Sequence, residues 1–225
     1  MHYLITLLLL FLFFRLGVLS EVLHKLALSP WEVHYGLLAL ILLSLVNVRL
    51  LAVDAGSSVS RPAAEENLPA CAGLPGARVT INLNLGGVVM PLFFGLYLAR
   101  EQALELVPLS LLALMVAVVV YPCSRVSRRR GIVIHLAAAV TVAAVGGLWL
   151  GGEQYLLAAY LAAVVGTLVG GDLLHLSRLM RLRSAQRRGI FIGGAGLMDA
   201  IFLSGLFAML TAELLRQHDL IPQLL

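Results

Sequence analysis

YLLAAYLAAVVGTLVGGDLLHL, residues 155–176, runs for twenty-two residues with one charged side chain, Asp172. At 1.5 Å per residue a helix of that length crosses about 30 Å of hydrocarbon. Six more apolar stretches of similar reach flank it: Tyr3–Leu19, Trp31–Val53, Val79–Ala99, Leu104–Tyr121, Ile132–Leu150 and Ile190–Leu215. The chain is 60% hydrophobic and 12% charged, with a mean hydropathy of +0.97. That composition excludes a water-soluble domain of 225 residues and predicts an all-α polytopic membrane bundle of about seven transmembrane helices. The first stretch also fits a secretion signal in length. Met1-His2 offers little positive charge, however, Arg15 interrupts the apolar run and no small-x-small cleavage site follows, so a retained helix is expected.

Charge sets the orientation. Nine of the sixteen basic residues lie in two short connections, Arg125 with Arg128–Arg130, and Arg178, Arg181, Arg183, Arg187 and Arg188. Basic short loops stay cytoplasmic. With seven crossings both fall on one side, which is expected to place the N-terminus in the cytoplasm and the C-terminus outside. These arginines also meet anionic headgroups, so the lipid bilayer is the expected partner, and no nucleic acid is implied.

One domain, residues 1–225, is expected, with a flexible cytoplasmic loop at 54–78. That loop, DAGSSVSRPAAEENLPACAGLPGAR, lacks the apolar area to fold alone. Cys71 and Cys123 have neither metal-ligand spacing nor the pattern of a disulfide framework. No cofactor or metal is expected, and nothing in the sequence fixes an oligomeric state.

Asp172 and Asp199 are the acids that draw attention inside these stretches. A charged, unpaired carboxylate in hydrocarbon costs several kcal/mol, which makes each a functional candidate. Asp172 lies six residues before Arg178, about 9 Å along a helix. Asp199 lies eleven residues past Arg188, about 16 Å if that segment is helical. An antiparallel hairpin of the sixth and seventh helices therefore brings them to similar depth. Gly170, Gly171, Gly193, Gly194 and Gly196 let another backbone come close, either a neighbouring helix or a substrate. The Gly193-Gly194-Ala195-Gly196 run also predicts a helix break, after which Asp199 would serve a new first turn. Asp172 has the wrong end of its helix dipole and needs a partner or a proton.

His175, three residues after Asp172, is a candidate proton relay. It would also complete a weak metal set with the two aspartates, although a histidine at headgroup level is the simpler expectation. Asn47, Asn82 and Asn84 are expected to glue helices together, with Asn82 and Asn84 on different helix faces. Pro91 is expected to kink the third helix.

Four segments, SLVNVRL (44–50), NLGGVVMP (84–91), GTLVGGDLL (166–174) and IGGAGLMDAIFLSG (192–205), together resemble a family of bacterial and archaeal multipass membrane proteins catalogued as a domain of unknown function. The likeness covers nearly the whole chain; it implies a prokaryotic inner membrane and no activity. A more distant likeness is to presenilins, signal peptide peptidases and prepilin peptidases, which use two membrane aspartates, one of them in a Gly-x-Gly-Asp motif. Here position 169 is Val, and Leu197 and Met198 separate Gly196 from Asp199. This likeness implies an intramembrane aspartyl protease with Asp172 and Asp199 as the catalytic pair and a transmembrane peptide as substrate. A proton-coupled carrier and a structural or assembly protein are the alternatives, because buried acids and broken helices serve those roles too.

Overall fold

The computed structural model describes residues 17–54, 78–100, 105–127, 131–180, 189–194 and 199–218, with isolated positions at 8, 11, 12, 15 and 102. Most of the first apolar stretch and residues 55–77 of the predicted loop, with Cys71, lie outside them. The first elements with described bounds are α1 (Val18–Lys25) and α2 (Pro30–Ser44), whose axes meet at 103°. Ser29 and Glu32 close a capping box at the start of α2, which satisfies two orphan N–H groups.

Here the predicted helices give way to strands. In place of one helix over Trp31–Val53, α2 stops at Ser44 and β1 (Asn47–Asp54) follows; in place of one over Val79–Ala99, the chain forms β2 (Arg78–Asn84), a π-turn at Leu85–Val89 and α3 (Met90–Ala99). The cause is local. Val79, Ile81 and Leu83 alternate with Thr80, Asn82 and Asn84 at a period of two, which only a strand sorts onto two faces. Val79 and Ile81 are accordingly buried. Asn82 and Asn84, expected on different helix faces, share one strand face. Pro91 sits in the first turn of α3, directly after the π-turn. Having no N–H to give, it follows the widened π-turn without loss.

β1 and β2 pair antiparallel, with a bulge between Arg49 and Leu51. β5 (Ile190–Ile192) joins the other edge of β2 in parallel, Ile81 facing Ile190 and Leu83 facing Ile192. β3 (Arg125–Ser127) and β4 (Gly131–Val133) form a separate hairpin. All five strands gather at one end of the bundle, where Val79, Leu179 and Ile190 pack with Val126, Ile132 and Leu176.

The remaining elements are α4 (Leu106–Cys123), α5 (Leu136–Leu150), α6 (Tyr155–Thr167), a second π-turn at Leu168–Leu173, α7 (Leu176–Met180) and α8 (Ala200–Gln217). Among the described residues three helical segments are long and apolar enough to cross a membrane: Leu106–Cys123, Gly152–Met180 and Ala200–Gln217. The bent α1–α2 pair makes a fourth if counted as one span. α6 is the central helix. Every residue from Tyr155 to Val164 is buried, against α8, α5, α4 and α3. The side chains there are small, which lets helices pack by close van der Waals contact.

Asn84 joins sheet to helices. It is fully buried; its Nδ2 donates to Ser44 O at 2.7 Å and to Asn47 Oδ1 at 3.1 Å, while its Oδ1 accepts the Gly87 N–H at 2.7 Å. Asn84→Ala strands a buried N–H and is expected to cost about 1–3 kcal/mol. Thermal unfolding of the variant in detergent measures that cost, and wild-type stability would deny Asn84 this role.

Candidate functional site

The strand end holds the two aspartates. Gly170 and Gly171 are weak helix formers, and around them α6 widens into the π-turn Leu168–Leu173. Asp172 lies within that turn and is 7% exposed. Its Oδ2 accepts the Gly193 N–H at 2.8 Å, so the carboxyl at the unfavourable end of a helix finds a partner in β5's exit. Asp199 is the N-cap of α8, its Oδ2 accepting from Ile201 N at 3.3 Å. The predicted break in the seventh stretch is therefore present: strand at 190–192, then a turn, then a helix from Ala200.

Gly193 and Gly194 make the turn on which both carboxylates converge. Their φ angles are +80° and +69°, in the left-handed region that glycine enters without steric cost. Asp172 binds the N–H of the first. Asp199 Oδ1 lies 2.8 Å from where a side chain on the second would begin. Gly193 also presses on the other π-turn, its carbonyl oxygen filling the position a Gly87 side chain would take.

The other candidates fall around this turn. A side chain on Gly170 would begin against the Ala117 carbonyl oxygen, and one on Gly171 2.6 Å from Ile134 Cδ1. Their open faces are filled by the chain's own atoms. Gly196 lies outside the described residues, as do Arg128–Arg130, Arg181, Arg183, Arg187 and Arg188. Among the described residues no group of three His, Cys, Asp or Glu side chains could hold a metal ion.

His175 is enclosed by the bundle. It is 1% exposed, its ring lies against Tyr121 at 4.7 Å between centroids, and Nδ1 is 3.1 Å from Gly170 O and 2.9 Å from Gly171 O. Carbonyl oxygens only accept, so Nδ1 carries the proton and donates it to both. The imidazole thus ties α7 to the carbonyls of the widened turn. His175→Phe keeps the ring contact and removes the donor. A loss of about 1 kcal/mol in detergent unfolding is expected, and an unchanged midpoint would show that water replaces it.

Two buried polar features escape detection from sequence. Thr167, fully buried one turn before Asp172, has a hydroxyl with no hydrogen-bond partner among the described residues. Glu213, inside the seventh apolar stretch, is fully buried at the opposite end of α8. Its partners are Lys25 at 2.7 Å, Gln217 at 3.2 Å and the Tyr155 hydroxyl. An acid near a helix end next to Arg216 and Gln217 reads as solvated, and only the packing of α1 against α8 reveals otherwise.

No curated protein and no solved structure matches the chain significantly. The family model described as protein of unknown function DUF1614 matches residues 41–211; that span covers both π-turns, all five strands and both aspartates, and the chain belongs to this family.

Proposed function

We propose that this is a membrane-embedded aspartyl peptidase in which Asp172 and Asp199 cleave a transmembrane peptide near the cytoplasmic side of the inner membrane. The observation that carries the proposal is the convergence of two carboxylates from different helices on the Gly193–Gly194 turn. Two carboxyls so placed cannot both ionise cheaply and hold one proton between them. The ionised partner takes a proton from water as the water oxygen attacks the scissile carbonyl, the protonated one donates to the carbonyl oxygen, and the departing amine recovers a proton as the C–N bond breaks. Seven crossings with the N-terminus inside are part of this reading. It is supported by exposed Arg125 and Arg178 at the same end as the aspartates, as the positive-inside rule requires.

The carrier alternative draws support from Glu213, a second buried acid at the far end of α8. The structural alternative draws support from the hydrogen bonds that both aspartates accept from backbone N–H groups. Purified protein in vesicles, incubated with a set of transmembrane peptides, distinguishes them: mass spectrometry is expected to find discrete internal cleavage. Solute or proton flux without cleavage would favour the carrier, and neither would leave the structural role.

A further inference from the structure

α1 is attached unlike any other helix in the described bundle. It has eight residues, enters from Gly17 at φ +73° and leaves through Ala27 at φ +52°. Left-handed backbone at a non-glycine residue is uncommon and strained, and such strain collects at segments that move. After Ala27 the chain turns sharply into α2, at 103° to α1. Two conformational breaks therefore bracket a short helix.

What holds α1 down is equally limited. Val18, Val22 and Leu26 form one apolar stripe, buried in the main core, while Ser20 and His24 face outward. Its last residue, Lys25, sends Nζ to Glu213 Oε1 at 2.7 Å and to the Tyr155 hydroxyl at 3.2 Å. Glu213 is fully buried, whereas the Lys25 side chain is 34% exposed. Glu21, one turn back on α1, lies 3.6 Å from the same Nζ, and Arg216 lies over the Tyr155 ring at 4.5 Å. The cluster thus closes the end of the α6–α8 pair remote from the aspartates, because α6 begins there at Tyr155 and α8 ends there.

We propose that α1 is a hinged strap, shut across that end of the bundle by the Lys25–Glu213 ion pair. A buried ion pair is a poor source of net stability and a good switch: its desolvation offsets much of its attraction, while losing one partner leaves an unpaired buried charge. With Lys25 displaced, Glu213 regains hydration only if α1 lifts. Gly17 and Ala27 supply the rotation, and opening exposes Glu213 and Tyr155. A cation competing for Glu213 would hold the strap open.

The test uses the full chain in vesicles, with Cys71 and Cys123 replaced by Ser and one cysteine introduced by Val22→Cys, on the inner face of α1. Labelling by a membrane-impermeant maleimide is expected to be slow. Adding Lys25→Met should speed it at least about tenfold, as the loss of one partner from a buried pair implies, while Lys25→Arg, which keeps the charge, should leave it slow. A parallel probe, Val116→Cys, lies fully buried in α4 and should stay protected throughout. Equal labelling of Val22→Cys with and without Lys25→Met overturns the strap. So does Lys25→Met exposing both probes together, since the pair then holds the whole bundle rather than α1.

Discussion

Asp172→Asn and Asp199→Asn are each expected to lower peptide cleavage by about 10²–10⁴, the range a general acid or base contributes, while leaving the fold within about 1 kcal/mol of wild type. Asparagine matches aspartate in shape and keeps an acceptor oxygen. At 172 that oxygen can still take the Gly193 N–H; at 199 asparagine caps a helix as well as aspartate does. What neither amide can do is hold or accept the shared proton. Alanine separates the two roles. Asp172→Ala leaves a buried N–H without a partner, at about 1–3 kcal/mol, and Asp199→Ala loses the cap of α8, at about 1 kcal/mol. The measurement pairs cleavage of a vesicle-embedded peptide with unfolding in detergent, on the same preparations. Undiminished cleavage in either asparagine variant removes that residue from the reaction. Asparagine variants as unstable as the alanine ones would return both carboxylates to a structural role.

The two aspartates and their shared end of the bundle are legible in sequence because two local signals agree: acids in apolar surroundings, and arginines marking the same end for both. The helix break before Asp199 is legible too, since the glycine run is too weak a helix former to carry the seventh stretch through. Hydropathy hides the sheet. A window long enough to find a membrane helix averages over residues 79–84 and erases their period of two, although Val79-Thr80-Ile81-Asn82-Leu83-Asn84 spells a strand. Ile190-Phe191-Ile192 is β-branched and aromatic, but three residues cannot announce a strand without the partner β2 supplies from more than a hundred positions away. His175 misleads and Glu213 goes unnoticed for one reason. Position near a helix end predicts a wet side chain, and a neighbouring element, Tyr121 for one and α1 for the other, covers each.

Gly193→Ala should be among the most damaging single-methyl changes in the chain, at about 2–5 kcal/mol from two sources. Left-handed backbone adds about 1–2 kcal/mol for a residue with a Cβ. Overpacking adds about 1–3 kcal/mol, because the new methyl would begin inside contact distance of Val88 Cγ2 and 3.1 Å from the Gly87 carbonyl carbon. Gly87→Ala meets the same contact from the other side, with the Gly193 carbonyl as the obstacle, and backbone cannot rotate away as a side chain can. Both changes push the Gly193–Gly194 turn off the π-turn it rests on. They therefore move the N–H that Asp172 holds and should abolish cleavage even in the fraction that folds. Two glycines serve as controls. Gly152 has φ +52° and open space around it, so alanine there isolates the backbone cost. Gly36 is helical with nothing within 4 Å, so alanine there is expected to stabilise by up to about 1 kcal/mol. Unfolding of all four variants in a denaturing detergent series ranks them. If Gly193→Ala proves no worse than Gly152→Ala, the close contact between the two glycine turns is not what positions Asp172, and the convergence of the carboxylates loses its physical basis.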